Sequence, residues 1–254
     1  MADGPIPGRN RPKSDAYDAF VRKAEADPDV VGLLLAGSRG FGAFVTEHSD
    51  FDVYVVVRDR PEPWKTPHGA PVETWPMTLD AFRVHALVGT DEAWNRPTFL
   101  GAQVVLDRSG GEVTRIADRK RVLDATEADS LATTSLGEYV NSLYRSLRNL
   151  EAGRQLEGRL DALETLSPML TAAFALESRV RPFNKWLLHE VALRPLSIPG
   201  LIELVEEIVA GPTASNQREA FRLIERAARD RGYGGIIDDW DPDVPWLRHP
   251  DGRR

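Results

Sequence analysis

Residues Leu33 to Val57 read "LLLAGSRGFGAFVTEHSDFDVYVVV". An apolar run that suits a buried strand breaks into Gly37-Ser38-Arg39-Gly40, and a second apolar run follows with Asp50 and Asp52 at its start. Side chains two apart on a strand share a face, so the two carboxylates stand one pleat repeat, about 7 Å, from each other. Phe51 and Val53 then face the other way. Two ionised carboxylates that close repel, and one is driven to take up a proton unless a cation offsets the charge. Hard oxygen ligands suit Mg²⁺, which is commonly held by one or two carboxylates together with substrate phosphates.

The Gly-Ser turn supplies the complementary half. Gly37 allows the backbone close to a ligand, Ser38 offers a hydroxyl and an amide, and a turn leaving a strand exposes N–H groups that can receive an anion. Arg39 adds a cation for a charge-assisted bond. Either half alone is commonplace. In this order, between two apolar strands, they point to a site for a metal and a phosphate.

Upstream, the apolar positions Ala16, Phe20, Val21 and Ala24 predict a helix over 16–26, stopped by Asp27-Pro28-Asp29, and residues 1–12 read as a disordered lead-in. Val30–Ala36 and Phe51–Val57 are the first two expected strands, Ala70 to Trp75 a third, and "AQVVLDR" (102–108) a fourth. Thr78 is placed to cap a helix over 79–88. From about Ser130 the pattern is helical throughout. Leu136, Val140, Leu143, Leu147 and Leu150 recur on one helical face, and Leu160, Leu163, Met169, Leu170, Ala173 and Phe174 continue in a second segment that Pro168 is expected to kink or interrupt. Further helices are predicted at 184–193, 200–210 and 216–231, the last opened by Asn216 with Glu219 as a capping box. The chain thus divides into a first domain over 1–128 and an all-helical domain over 129–254.

At 42% hydrophobic, the 254 residues can bury a substantial core. The absence of cysteine excludes disulfides, thiolate zinc sites and thiol nucleophiles. Net charge is −7 and the basic residues are scattered, which argues against a protein that coats nucleic acid. The longest apolar runs, 30–36 and 53–57, fall well short of a membrane span, and "MADGPIPGRNRPKSD" lacks the apolar core of a signal peptide. A cytoplasmic protein without a membrane partner is expected. No two histidines fall at metal-ligand spacing, and "IIDDWDPDVPW" (236–246) reads as a solvated acidic tail.

The pattern of strand, Gly-Ser, loop, then Ser-Asp-x-Asp opening a strand resembles the DNA-polymerase-β-type nucleotidyltransferase superfamily. The likeness is specific over Gly37 to Val57, "GSRGFGAFVTEHSDFDVYVVV", and looser through the rest of 16–125. The helical half resembles the carboxy-terminal bundles of antibiotic (aminoglycoside-type) nucleotidyltransferases, with "RVRPFNKWLLHEV" (179–191) its most motif-like piece. The resemblance implies an α+β fold, a nucleotidyltransferase-like mixed sheet with flanking helices, followed by an all-helical bundle. It implies two Mg²⁺ ions and transfer of a nucleoside monophosphate from ATP or another NTP to the hydroxyl of a small acceptor, an aminoglycoside-like antibiotic being the leading case, with release of pyrophosphate.

By that likeness Asp50 and Asp52 hold the metals, and Gly37, Ser38, Arg39 and Ser49 bind the nucleotide. Glu73 in "APVETWPM" is the candidate third carboxylate, as metal ligand or as general base, ahead of Glu47 and Asp80. A second arginine common in the family is replaced by Gly40-Phe41-Gly42. Lys185, from the helical half, is the chosen substitute, ahead of Arg179 and Arg181. The expected partners are the nucleotide and the acceptor, on a monomer or homodimer. The alternative is a non-catalytic or regulatory module of the same fold, or an enzyme acting on protein or RNA.

Overall fold

The computed structural model describes residues 11–252, so most of the expected lead-in lies outside the described residues. Val30–Ala36 forms β1 and Phe51–Val57 forms β2, with the predicted bounds. They pair antiparallel. Val72–Thr78 (β3) runs parallel to β2, and Gln103–Asp107 (β4) runs antiparallel to β1, giving a mixed sheet in the order β3-β2-β1-β4. β3 continues through Pro76, past the expected stop at Trp75. It lies on the sheet edge, where a missing N–H need cost no ladder bond.

The helices of this part cover both faces of the sheet. Arg11–Ala26 (α1) starts earlier than expected, with Pro12 in the first turn, where a missing N–H is harmless. Gly37–Phe41 (α2) is a single helical turn where an open turn was expected. Leu79–Val84 (α3) is capped as predicted, the Ala81 N–H donating to Thr78 Oγ1 at 3.2 Å, and it stops early because Ala86 turns to a φ of 60°. Glu112–Lys120 (α4) was not foreseen, although Val113, Ile116 and Ala117 have helical spacing. On one face of the sheet, Leu34, Tyr54 and Val56 pack against Phe82, Phe99 and Val113. On the other, Leu33, Val53, Val55 and Val57 pack with Ala24, Phe20 and Trp64. Each fully buried side chain of this size contributes ~1.5–3 kcal/mol.

The chain forms two units. One runs up to Val122 and includes Pro182–Trp186; the other comprises Leu123–Arg181 and the residues from Leu187 onward. A short piece of the expected helical half therefore belongs to the sheet-bearing unit, which a single cut after residue 128 does not capture.

The helical unit contains Ala125–Glu151 (α5), Gln155–Ala175 (α6), Leu187–Leu193 (α7), Leu201–Ala210 (α8), Ala214–Asp230 (α9), Gly234–Asp238 (α10) and Val244–Arg248 (α11). Three expectations change here. α6 runs unbroken through Pro168, held by extensive packing on α5. Met169, Leu170, Ala173 and Phe174 are buried as expected, together with Ala162, Thr165 and Ala172, while Leu160 and Leu163 are exposed. Small residues line the α5–α6 contact because the helices approach closely: Ser146 Oγ donates to the Gly158 carbonyl at 2.7 Å, and a Cβ on Gly158 would strike Leu150. α9 is capped one turn earlier than expected, by Thr213 with Asn216 in the reciprocal role. The 236–246 segment is anchored by its apolar residues, for Ile237, Val244 and Trp246 are buried and Trp246 Nε1 donates to Glu151 Oε1 at 2.7 Å, while Asp238, Asp239 and Asp241 are exposed. Among the described residues, no helix is long and apolar enough to cross a membrane.

α5 opens on a capping box in which the Glu127 N–H donates to Asp124 Oδ1 at 2.8 Å and the Asp124 N–H donates to Glu127 Oε2 at 3.2 Å. Asp124→Ala is expected to destabilise the helical unit by about 1 kcal/mol. Urea unfolding should show a lower midpoint at an unchanged slope.

Candidate metal and phosphate site

Asp52 occupies the second position of β2, directly between Ala36 on β1 and Glu73 on β3. The β2–β3 register thus sets a third carboxylate beside the Asp pair. Oxygens of Asp50, Asp52 and Glu73 all lie within 4.8 Å of one another, and all three residues are half-buried. Glu73 is held from the turn ahead of β3: the Gly69 N–H donates to its Oε1 at 2.5 Å, and His68 Nδ1 stands 3.0 Å from the same oxygen. The rival acids lie elsewhere. Glu47 is exposed beside His48, and Asp80 pairs with Arg83.

Burial pushes the Asp52 carboxyl up to about 6, and the charges of Asp50 and then Glu73 add to the rise. Lys185 pulls it back. Three hard oxygen donors that repel one another at this spacing suit a divalent cation, and Asp50, Asp52 and Glu73 are the residues that would hold Mg²⁺.

On the β1 side the chain leaves the sheet through α2. Gly37 has a φ of 61°, and a Cβ there would run into the Asp52 carboxylate. Glycine is therefore required twice over, by backbone conformation and by contact with the triad. Ser38 follows within the same turn, its carbonyl accepting the Gly42 N–H at 3.0 Å. Arg39 turns to the loop that delivers Asp50. Its Nε donates to the Asp50 carbonyl at 3.1 Å, its Nη2 donates to the Ser49 carbonyl at 3.0 Å, and its guanidinium lies 4.1 Å from the Phe51 ring centre. Ser49 Oγ accepts the Thr46 N–H at 2.9 Å, closing a local turn. Lys13 adds a second cation to this loop, donating to the His48 carbonyl at 2.9 Å.

Lys185 reaches the triad's surroundings through the segment that belongs to the sheet-bearing unit. The buried ring of Trp186 stacks on Phe41 of α2, centroids 4.6 Å apart and planes 7° from parallel. Lys185 Nζ lies 4.7 Å from the Trp186 ring. The sequence nominates Lys185 but not its anchor Trp186, since the stack on Phe41 joins residues far apart along the chain. Nor does it nominate Lys13, which lies far from the loop in sequence. Two residues beyond Asp52 on the same face, buried Tyr54 receives a hydrogen bond from Asn95 and stacks against Trp75.

No protein-family model matches the sequence, and no curated protein matches it. Among solved structures, the chain resembles the crystal structure of a nucleotidyltransferase-like protein from Exiguobacterium sibiricum 255-15, at 14% identity and a TM-score of 0.49, over 90% of this chain and 80% of that one. At that distance the likeness carries no assignment, and the site stands on its own geometry.

Because the folded-state pKa of Asp52 is raised, the folded protein holds this proton more tightly than the unfolded chain does. The cost of ionising Asp52 is then absent near pH 4, grows as pH rises through about 6, and is complete above it. Asp52→Asn should accordingly raise the melting temperature of the protein in EDTA at pH 7–8 and make little difference near pH 4. Added Mg²⁺ should stabilise the wild type and not the variant.

Proposed function

We propose that the chain is a Mg²⁺-dependent nucleotidyltransferase that moves a nucleoside monophosphate from an NTP, ATP in the first instance, to a hydroxyl of a small acceptor. The observation that carries this reading is the Asp52–Glu73 register, which supports a three-carboxylate cluster next to the Gly37-Ser38 turn. The bond formed joins the acceptor oxygen to the α-phosphorus, and the bond broken releases pyrophosphate. Two Mg²⁺ ions held by the triad would supply stabilisation of charge on the attacking and leaving oxygens.

The chain's own groups divide the remaining work. Backbone N–H groups of the Gly37-Ser38 turn and the Lys185 ammonium bind the triphosphate. Glu73 takes the acceptor's proton at Oε2, the carboxylate oxygen other than the one that receives the Gly69 N–H. Arg39 and Lys13 are positioning residues, since they fix the carbonyls of His48, Ser49 and Asp50 and so the direction in which the Asp50 carboxylate leaves the loop. A net charge of −7 favours a cationic, hydroxylated acceptor such as an aminoglycoside over a nucleic acid.

The decisive assay is pyrophosphate release with Mg²⁺ and each of the four NTPs, across a panel of aminoglycosides and other hydroxylated small molecules. Acceptor-dependent release is expected, with Asp52→Asn lowering it by on the order of 10²–10³-fold. Glu73→Gln should lower kcat by on the order of 10²–10⁴-fold while NTP still binds. Binding of Mg²⁺-NTP with silence across the panel would move the reading to a protein or RNA acceptor. Failure to bind NTP would leave a non-catalytic module of the same fold.

A further inference from the structure

Between α3 and α4, on the sheet-bearing unit, lies an open cavity of about 310 Å³. Its charged lining is one-sided: Arg83, Arg115, Arg119 and Lys120 against the single carboxylate of Glu112. Arg83 spans the two helices, its Nε donating to Glu112 Oε1 at 2.8 Å. Arg115 is exposed, and its Nε bonds the Gly111 carbonyl at 3.2 Å. Leu87 and Ile116 supply apolar wall. A concentration of cations of this kind is unexpected in a chain of net charge −7.

Lys120 is the second observation. It is fully buried, its Nζ donates to the Phe82 carbonyl, and it lies 4.1 Å and 4.9 Å from the ring centres of Phe82 and Phe99. Among the described residues, no carboxylate forms an ion pair with it. Burial, and then the charge of Arg96, push its ammonium down to about 7. A buried cation without an opposite charge is costly to keep. An anion in the adjoining cavity would offset that cost.

We propose that the α3–α4 cavity binds a small phosphorylated molecule of about mononucleotide size, at a site separate from the carboxylate triad. Planar guanidinium forks match phosphate oxygens, and the apolar wall suits the organic body of such a ligand. The volume lies at the lower end of the range for small-molecule sites. The inference does not depend on the proposed transferase activity.

The test is calorimetric titration of the full chain in EDTA, which keeps divalent cations from the triad, with AMP, inorganic phosphate and a short single-stranded oligonucleotide as separate probes. Saturable one-to-one binding of AMP is expected, tighter than that of phosphate. Arg115→Glu and Lys120→Met should each weaken it at least tenfold, whereas Asp52→Asn and Lys185→Ala should leave it unchanged. Lys120→Met gives up the bond to the Phe82 carbonyl, so its melting temperature is read alongside, and Arg115→Glu, at an exposed residue, distinguishes loss of binding from loss of fold. The proposal is overturned by the absence of saturable AMP binding at millimolar concentration, or by binding that survives Arg115→Glu and vanishes in Lys185→Ala. Phosphate binding as tightly as AMP would remove the organic body from the proposal, and tighter binding of the oligonucleotide through Arg115 would reassign the face to nucleic acid.

Discussion

Repulsion among three carboxylates at the end of one sheet face is the constraint on which the rest of the site depends. Asp52 cannot move away from Glu73, because the two are register partners on adjacent strands, and it cannot move toward β1, because the Gly37 backbone fills that side. The pair can be relieved only by a proton or by a cation. Lys185 relieves it in part. Every other feature near the end of β2 can be understood as holding this unfavourable arrangement in place.

The means of holding it are backbone contacts. Arg39 and Lys13 spend their charge on the carbonyls of the loop before β2 rather than on the carboxylates, so the triad stays short of cations while its geometry is fixed. Tyr17 stacks on Phe51 from α1, centroids 4.3 Å apart, and so anchors the opposite face of the same strand end. The Phe41–Trp186 stack does the same for α2 and carries Lys185 with it. Rigid support of this kind is the usual requirement of a preorganised site.

Much of this was legible in the sequence, for physical reasons that differ between elements. β1 and β2 are buried on both faces and so read as continuous apolar runs; Asp52 falls on β2 as the strand pattern places it, whereas Asp50 precedes the strand and is brought beside it by the loop that Arg39 holds. Glu73 could be nominated from a likeness, but its pairing with Asp52 is a matter of register, which no local pattern encodes. α4 does not stand out in the sequence because its apolar stripe is narrow among charged residues, and in α6 only Leu160 and Leu163 depart from the expected buried face, the close contact with α5 being made by Gly158 and Ala162 instead. The roles of Lys13, Trp186 and Trp246 rest on contacts distant in sequence, Trp246 with Glu151 being an example.

Other ionisable groups in the chain show what a structurally satisfied charge looks like. Asp107 is partly buried, which would raise its pKa, yet Ser109 and Thr114 each give it a backbone and a hydroxyl hydrogen bond and hold it well below the usual carboxylate range. Glu225 is likewise brought down, against its burial, by Arg248 and Arg229. Arg96 is buried and donates to the carbonyls of Lys120, Ala86, Arg119 and Val122. Asp52 and Lys120 depart from that pattern in opposite senses, the carboxyl pushed up by burial and then by Asp50 and Glu73, the ammonium pushed down by burial and then by Arg96. A fold that satisfies Asp107, Glu225 and Arg96 so fully is able to satisfy its charges. Asp52, beside the Gly37-Ser38 turn, has Lys185 near it, and Lys120, beside a basic cavity, has the Phe82 carbonyl and two aromatic rings. Among the described residues neither is in a direct ion pair with an opposite charge, and a partner for each is best sought outside the chain.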